Sequence, residues 1–388
     1  MKSIIFIFLL SGVLLAQPLF KQQPIFPLQD KHVHSSSIVQ TPNGDLLACW
    51  FHGSGERTAD DVLIQGARLK KGESEWSDVF LMADTPGFPD CNPVLFIDQK
   101  QRLHLFWVAV LAHRWEQSLL KYRISSNYEN AGPPVWDWQG VITLKPGQAF
   151  ADAVQKGFAE NVSEALWAEY APAYTELITQ AAQDPAKRQM GWMPRTHPLI
   201  LPSGRILLPL YSDGFCLGLV AISDDDGDSW RASLPMVGLG LNQPSIVRKK
   251  DGRLVAYMRD EGASPGRVFK STSSDGGESW SYAVKTDIPN PSSSLEVIVL
   301  RSGNWLMIYN DTEEGRHSFA AALSDDEGET WTWKRHIART AKGEKQFAYP
   351  SIIQAADGLL HLTFSYDDGE KETIKYAVFN EEWIIKSD

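Results

Sequence analysis

Short apolar runs separated by polar turns occupy most of the chain and repeat a strand–turn–strand pattern. The first copy is SIVQTPNGDLLACW, beginning at Ser37, and the later copies are LFIDQKQRLHLFW, LILPSGRILLPLY, SIVRKKDGRLVAYM, VIVLRSGNWLMIY and SIIQAADGLLHLTF. A glycine lies in the turn of every copy except the second, which has Gln101 near that place. Apolar runs of this length joined by such turns predict β-hairpins.

A second repeat marks the segments between the hairpins. The octapeptides SDDDGDSW, SSDGGESW and SDDEGETW share the pattern S-x-D-x-G-x-x-W and lie at Ser223–Trp230, Ser273–Trp280 and Ser324–Trp331. Degenerate copies occur at Lys70–Trp76 and Ser125–Trp138. A fixed period of about fifty residues is typical of propellers and solenoids. Six hairpins at this spacing predict an all-β fold, a six-bladed β-propeller.

The interval between the second and third hairpins is about double the others and contains residues 148–185. This segment is rich in Ala, Glu and Gln, and its apolar residues recur at helical spacing. The pattern predicts a helical insertion between blades 2 and 3. Because the strand pattern resumes directly afterwards, we expect residues 17–388 to form a single propeller domain rather than two domains.

Residues 1–16, MKSIIFIFLLSGVLLA, have the pattern of a secretory signal peptide. Lys2 precedes an apolar stretch from Ile4 to Leu15, and Ala16 is a suitable cleavage position. The apolar run is short for a membrane span. We therefore expect an exported protein, periplasmic or secreted, that has no membrane partner. The net charge of −11 also argues against nucleic acid as a partner.

The three cysteines, Cys49, Cys91 and Cys216, are not spaced like metal ligands. Small buried side chains are the favoured interpretation, and a disulfide between two of them stays open. His32 and His34 lie two residues apart, so on a strand they face the same side. No third ligand accompanies these histidines in the sequence, and we predict neither a metal site nor a cofactor.

The repeats and several single residues resemble those of the sialidase superfamily. In that family an arginine triad holds the substrate carboxylate, a tyrosine is the nucleophile, and an aspartate after the first hairpin is the acid/base. Arg259 in AYMRDEG resembles the second triad arginine, Arg316 the third, and Tyr349 in FAYPSIIQ the nucleophile. Asp60 or Asp61 falls in the loop of the acid/base, and we assign that role to Asp61.

Two positions depart from the sialidase pattern. His34, within HVHSSS, lies where the first triad arginine normally opens the first blade. Asn242 and Gln243, within LNQPSIV, lie where the glutamate that activates the tyrosine is expected. A side-chain amide does not take a proton from tyrosine, so the second departure bears directly on the chemistry.

The polar residues that remain suit β-elimination on a uronic acid. Arg259 and Arg316 would hold the substrate carboxylate and stabilise the carbanion that forms as the C5 proton leaves. His34 or Tyr349 would remove that proton, and the other would protonate the departing C4 oxygen. We therefore predict an exported uronate lyase or dehydratase that acts on an acidic oligosaccharide or polysaccharide, at a chain end.

Further substrate-binding residues are predicted where strands open and in nearby loops. They are Arg195 and His197 in WMPRTHPLI, Gln243, Arg57 after the first hairpin, and Arg114 and Trp115 in LAHRWEQ. Each also has a plainer interpretation, because tryptophans usually pack in cores and arginines usually carry surface charge. The sequence leaves the oligomeric state open.

Two other functions stay open from the sequence. The first is an exo-sialidase-like hydrolase in which Tyr349 is the nucleophile, Asp61 the acid/base and His34 the base for the tyrosine. The second is a propeller that binds glycans without catalysis, since an arginine-lined pocket can bind carboxylates on its own.

Overall fold

The computed structural model describes residues 17–162 and 171–386, and within them six antiparallel sheets succeed one another along the chain. Each sheet is one blade and runs from an inner to an outer strand. Blade 1 contains His32–Gln40, Leu46–Gly53, Leu63–Leu69 and Phe80–Ala83; blade 2 contains Asp90–Ile97, Leu103–Val110, Ser118–Ser125 and Trp138–Val141; blade 3 contains Met193–Pro194, Leu199–Ile200, Ile206–Ser212, Leu217–Ser223 and Arg231–Ala232. The six predicted hairpins form the inner and second strands, so the six-bladed propeller is confirmed.

The second half of the chain repeats this order and returns to the N-terminal segment. Blade 4 contains Leu241–Arg248, Leu254–Asp260, Arg267–Ser273 and Val284–Pro289; blade 5 contains Glu296–Val299, Trp305–Tyr309, Ser318–Ser324 and Trp333–Arg339; blade 6 contains Gln346–Gln354, Leu360–Asp367 and Glu372–Phe379. The outer strand of blade 6 is Phe20–Pro24, which pairs antiparallel with Glu372–Phe379. The two ends of the described chain therefore share one sheet, and a short helix, Glu381–Ile385, follows it.

The aspartate-containing octapeptides form the turns between the third and outer strands of blades 3, 4 and 5. In the last of them, the Ser324 hydroxyl accepts a hydrogen bond from the Gly328 amide and donates one to Asp326, both at 2.8 Å. The Asp326 carboxylate also accepts the Thr330 amide at 2.8 Å. Hydrogen bonds, first of all that from the Thr330 side chain, lower the pKa of Asp326 to about 2. The repeat is thus a turn whose carboxylate satisfies local donors.

The predicted insertion is helical and packs against blades 2 and 3. It contains α1 (Gln148–Asn161), α2 (Ala171–Gln183) and α3 (Pro185–Arg188). The buried face of α1 includes Phe150, Val154 and Phe158. The Phe150 ring lies 5.9 Å from Trp192 and 5.5 Å from Phe215, centroid to centroid and edge-on. These contacts join the insertion to the apolar core between the two blades.

Side chains on or next to the inner strands connect neighbouring blades around the propeller axis. Ser351 accepts the Ile38 amide, Ser37 the Leu95 amide, Ser245 the Val297 amide and Glu296 the Ile352 amide, at 2.8 to 3.1 Å. Between blades 3 and 4 the Thr196 hydroxyl donates to the Pro244 carbonyl at 2.7 Å. Inner strands of neighbouring blades do not pair as sheets. These bonds therefore satisfy buried backbone groups that have no partner within a sheet.

Four inner strands contain a left-handed residue at the same place. Ser35, Asn92, Gln243 and Tyr349 have φ between 52° and 57°, and the strand register shifts at each of them. Such bulges redirect a side chain and interrupt the pairing. A proline follows Asn92, Gln243 and Tyr349, which restricts the preceding residue further. The same bulge therefore directs one side chain of each of these strands towards the axis.

The structure also bears on the cysteines and on membrane insertion. Cys49, Cys91 and Cys216 are free thiols, and the first two are buried. In residues 17–162 and 171–386, no helix has the length and apolar character needed to cross a membrane. The predicted signal peptide, residues 1–16, lies outside the described residues.

A pair of glycines offers a test of the octapeptide packing. Gly328 and Gly303 both have left-handed backbones, with φ of 79° and 91°. A Cβ on Gly328 would collide with Tyr257 and approach Trp305 to 2.9 Å, whereas a Cβ on Gly303 has nothing within 4 Å. Gly303→Ala should lose about 1–2 kcal/mol of unfolding free energy from backbone strain. Gly328→Ala should lose about 1–3 kcal/mol more from overpacking. Urea denaturation measures both variants, and equal losses would contradict the packing described.

Candidate active site

A cavity of about 340 Å³ lies at the axis, where the inner strands begin. Residues that open inner strands form its floor: His32, Val33, His34, Asn92, Gln243, Gln346, Ala348 and Tyr349. The ends of second strands and the loops after them form most of its wall: Glu56, Trp115, Tyr211, Asp213, Arg259, Glu261, Ser365, Tyr366 and Asp367. Arg316 and Glu372, at the starts of third strands, complete it. We call this space the central cavity.

Tyr349 lies buried in the cavity floor among cationic groups. Its phenol oxygen accepts a hydrogen bond from Arg259 Nη1 at 2.8 Å and another from Gln243 Nε2 at 3.2 Å. The guanidinium carbons of Arg195 and Arg316 lie 4.9 and 5.4 Å from the centre of its ring. Hydrogen-bond donors and positive charges thus surround the phenol group.

His34 contacts the same tyrosine. The two ring centroids are 4.1 Å apart. Burial lowers the pKa of His34 well below 6.5, and the positive charges of His32 and the nearby arginines lower it further. At neutral pH the His34 imidazole is therefore uncharged and able to accept a proton. The sequence predicted both residues at one site, and the structure brings them into contact.

His32 has a different environment from His34. Its Nδ1 lies 2.9 Å from the Glu372 carboxylate, which also accepts the Val33 amide at 2.7 Å. Burial alone would lower the pKa of His32, but the hydrogen bond and charge of Glu372 outweigh it and raise that pKa. Among the described residues, no three His, Cys, Asp or Glu side chains are grouped to hold a metal ion. His32 thus anchors the strand that presents His34.

The two arginines predicted to bind a carboxylate both line the central cavity. Arg259 pairs with Glu261 and donates to the Ser292 hydroxyl at 3.0 Å. Arg316 donates to the Ser292 carbonyl at 2.9 Å. Burial opposes the charge of Arg259, yet Tyr349 and Glu261 outweigh it and raise the pKa of the guanidinium. One serine thus contacts both arginines, and both guanidinium groups line the same cavity.

Gln243 has its amide oriented by its neighbours. Its oxygen faces Arg259 Nη1 at 3.5 Å, and its nitrogen donates to the phenol of Tyr349. The side chain is almost fully buried, with 1% of its surface exposed. A glutamate at this position would accept a proton from the phenol, whereas this amide donates to it. The predicted departure from the sialidase pattern therefore changes the direction of a hydrogen bond at the centre of the site.

Five carboxyl-bearing residues that line the cavity were not predicted as site residues. Asp367 and Glu372 belong to strands of blade 6, and the other three, Asp213, Glu56 and Glu261, lie in loops. Asp213 accepts a hydrogen bond from Asn242 at 2.8 Å. Part of Asp213 is open to solvent, but the protein surrounding its carboxyl desolvates it and, helped by Glu261, raises its pKa to about 6. Their position along the chain could have indicated Asp213, Glu56 and Glu261, because each of them follows the second strand of its blade, as the loop of Asp61 does.

The predicted acid/base Asp61 lies outside the central cavity. It is exposed, and it accepts hydrogen bonds from Lys31 at 2.8 Å and from the Ser54 hydroxyl at 2.6 Å. These partners, Lys31 first, lower the pKa of Asp61. Its neighbour Asp60 lies 2.8 Å from His113 Nε2, also in an exposed position. The loop turns these carboxylates outwards.

The rim residues predicted to bind substrate divide into two groups. Trp115 lines the central cavity, and the guanidinium of Arg57 stacks on its ring at 5.6 Å. Arg57 itself does not line the cavity, so its contact supports the tryptophan. Arg114 is exposed on the other side of Trp115, 3.7 Å from Glu116.

Arg195 and His197 lie beneath the central cavity and do not line it, which corrects their predicted role in substrate contact. Arg195 is 2% exposed and donates to the Pro350 carbonyl at 2.8 Å. His197 contacts the Glu296 carboxylate through Nδ1 and the Ile38 carbonyl through Nε2, both at 2.8 Å. Both residues follow Pro194, the last residue of the short first strand of blade 3, so they point into the axis below the floor.

Glu296 is a buried residue beneath the central cavity that was not predicted from the sequence. It is 2% exposed, and besides His197 it binds the Ile352 amide at 2.8 Å. Burial alone would lower the pKa of His197 and raise that of Glu296, but their mutual attraction reverses both shifts. The signal was available, because Glu296 occupies the place that Ser245 and Ser351 hold in the matching hairpins.

The geometry of the site brings together three groups of side chains. Arg259 and Arg316 supply positive charge, Tyr349 and the uncharged His34 form a pair suited to proton transfer, and carboxyl groups line the same cavity, Glu261 among them paired with Arg259. Carboxylates accept hydrogen bonds from hydroxyl groups. The site therefore fits a polyhydroxylated ligand that carries one carboxylate.

Known proteins resemble the chain in sequence and in fold. A family model for the BNR repeat-like domain matches residues 44–158 and 179–362. Over 172 residues the chain is 27% identical to a sialidase of Micromonospora viridifaciens. The aligned region covers 42% of this chain and 25% of that protein. Over 138 residues it is 30% identical to an anhydrosialidase of Macrobdella decora, covering 28% and 18%. The matches thus span a quarter or less of each relative.

Solved structures share the fold at low sequence identity. A protein of unknown function from Dyadobacter fermentans has a TM-score of 0.69 at 14% identity, covering 93% of this chain and 99% of that one. The intramolecular trans-sialidase of Ruminococcus gnavus, in complex with oseltamivir carboxylate, has a TM-score of 0.65 at 13% identity, covering 91% and 95%. Since the family model matches more than half of the residues, the chain belongs to the BNR repeat-like domain family and has the six-bladed propeller fold of the sialidase superfamily.

Proposed function

We propose that this protein is an exported carbohydrate-active enzyme that eliminates across the C4–C5 bond of a uronic acid in an acidic glycan. The observation that carries the proposal is the hydrogen bonding of Tyr349, whose phenol oxygen accepts from Arg259 at 2.8 Å and from the Gln243 amide at 3.2 Å. Among the described residues no carboxylate is hydrogen-bonded to the phenol oxygen, and its partners are a guanidinium and an amide. This environment favours a tyrosine that transfers protons over one that is activated to attack carbon.

The proposed reaction assigns a role to each group in the cavity. Arg259 and Arg316 bind the uronate carboxylate and stabilise the charge that develops as the C5–H bond breaks. Tyr349 or His34 takes the C5 proton, and the other gives a proton to the C4 oxygen as the C4–O bond breaks. The electron pair of the C5–H bond becomes the C4–C5 double bond. If the C4 oxygen carries a sugar, the enzyme is a lyase, and if it is a free hydroxyl, a dehydratase.

Hydrolysis of the sialidase kind is the second candidate. Arg259, Arg316 and Tyr349 gather in one cavity, as a sialoside carboxylate and a tyrosine nucleophile would require. Two of the chain's relatives are named as a sialidase and an anhydrosialidase. In that reaction His34 would be the base for Tyr349. The acid/base would have to be Glu56 or Asp213, which line the cavity, in place of Asp61.

The two chemistries are separated by their products. A 4,5-unsaturated uronate absorbs in the near ultraviolet, whereas a hydrolysed glycan does not. We expect absorbance to rise with a uronate oligosaccharide and no sugar release from a sialoside. Tyr349→Phe and His34→Ala should each lower the rate by roughly 10²- to 10⁴-fold. Tyr122→Phe is the matched phenol control, because Tyr122 lies on the third strand of blade 2 and does not line the cavity. Sialic acid release without absorbance would establish hydrolysis, and binding without either product would establish a glycan-binding propeller.

The arginine pair gives a second test of the proposed function. Arg259→Lys or Arg316→Lys keeps a positive charge but loses the planar fork that binds a carboxylate through two bonds. Each change should lower kcat by about 10²-fold or more, as loss of a charge-stabilising donor does. Arg253→Lys is the control, because Arg253 is exposed and bonded to Asp251. Comparable losses of kcat at Arg259, Arg316 and Arg253 would show that the effect is not specific to the two cavity arginines.

The pH dependence follows from the environment of His34. Because burial and neighbouring cations lower its pKa well below 6.5, His34 stays uncharged until the pH falls through that lowered value. The acid limb of kcat/KM should therefore lie below pH 6.5. Asp213, with a pKa near 6, also titrates close to this range, so the profile is repeated with Asp213→Asn. An acid limb at or above pH 6.5 that survives in Asp213→Asn would contradict an uncharged His34 as the proton acceptor.

A further inference from the structure

A second depression lies beside the central cavity, between the insertion and the rim of blades 2 and 3. Its volume is about 600 Å³. Asp213, Phe215, Arg114 and Gln117 form the blade side, and Ala186 and Lys187 of α3 form the facing side. We call this depression the insertion groove.

The insertion groove adjoins the central cavity. Asp213 lines both spaces. Trp115 lines the cavity, while its neighbours Arg114 and Glu116 line the groove. A ligand that extends out of the cavity past Asp213 or Trp115 therefore has the groove next to it.

The wall that divides the two spaces is closely packed. Ala112 and His113, just before Arg114, have left-handed backbones with φ of 52° and 57°. The segment then rests on two glycines, since a Cβ on Gly191 or Gly214 would lie within 2.9 Å of Glu116. Backbone strain in a rim loop is a recurrent feature of binding sites. The loop is thus held in place by contacts that leave no room for larger side chains.

The groove offers groups of both charges and an apolar surface to a sugar chain. Arg114 and Lys187 are exposed cations, Glu116 and Asp213 are carboxylates, and Phe215 adds a buried apolar surface. A sugar ring has apolar faces and polar edges, and cations bind its carboxylate. The central cavity, at about 340 Å³, lies at the small end of the range for ligand pockets, roughly 300–1,000 Å³. A longer glycan must therefore extend beyond it.

We infer that the insertion groove binds the sugar residues next to the one held in the central cavity, which makes the insertion a determinant of chain length and charge. This inference rests on the function proposed above, because it takes the ligand to be an acidic glycan. Binding energy from these residues would be used at the reacting bond, so a longer substrate reacts faster.

Substrate length tests the groove apart from the chemistry. Uronate oligosaccharides of two and of four residues are compared, with product followed both by near-ultraviolet absorbance and by new reducing ends. We expect kcat/KM to be about tenfold higher or more for the tetrasaccharide. Equal kcat/KM for the two substrates would overturn the proposed role of the groove but leave the proposed function standing. No turnover of either substrate would overturn the proposed function and the groove with it.

Substitutions in α3 locate the effect in the groove. Ala186→Trp should fill the groove and reduce the ratio of tetrasaccharide to disaccharide kcat/KM towards one. Lys187→Glu should reduce the same ratio by repelling the second carboxylate. Ala159→Trp is the matched control, since Ala159 is an exposed alanine on α1 and does not line the groove. An unchanged ratio in Ala186→Trp, or an equal fall in Ala159→Trp, would contradict the inference.

Discussion

The buried carboxylate of Glu296 is the contact on which the centre of the propeller depends. It binds the amide and ring of His197 from blade 3 and the Ile352 amide from blade 6. His197 in turn binds the Ile38 carbonyl of blade 1. Four blades thus meet around one buried ion pair, whose two charges are compensated by hydrogen bonds on every side. Removal of either partner would leave an uncompensated charge in the core, and substrate-facing groups directly above would lose their support.

The active-site floor follows from this support. Arg195, two residues before His197, reaches across the axis to the Pro350 carbonyl and lies under the Tyr349 ring. Tyr349 itself has a left-handed backbone that only the surrounding contacts maintain. The buried ion pair, the arginine and the strained tyrosine therefore form one column along the axis. A change at the bottom of the column reaches the phenol without any contact with substrate.

The fold was predictable because its signals are periodic, whereas the site was predictable only where a residue opens a strand or matches the pattern of a known family. Six hairpins, three octapeptides and a helical interval determined the architecture. Arg259, Arg316 and Tyr349 were predicted from their resemblance to the sialidase pattern and His34 from its place at a strand opening, and all four line the central cavity. Asp61 was assigned to the cavity from its loop alone, and loop conformation is set by local partners such as Lys31, which no sequence period records. Asp213 was missed because its chemistry arises from surrounding protein rather than from its neighbours in sequence.

Gln243 lies at one of the two positions where this site departs from the pattern it resembles. A glutamate beside Tyr349 would draw the phenol proton towards itself and prepare the oxygen to attack carbon. The Gln243 amide is held by Arg259 with its nitrogen towards the phenol, so the hydrogen bond runs the opposite way. The phenol therefore lies between a donating amide and the ring of His34, which is 4.1 Å away and uncharged. The propeller and its repeats establish the family, whereas the chemistry of the site depends on which side chains surround this phenol.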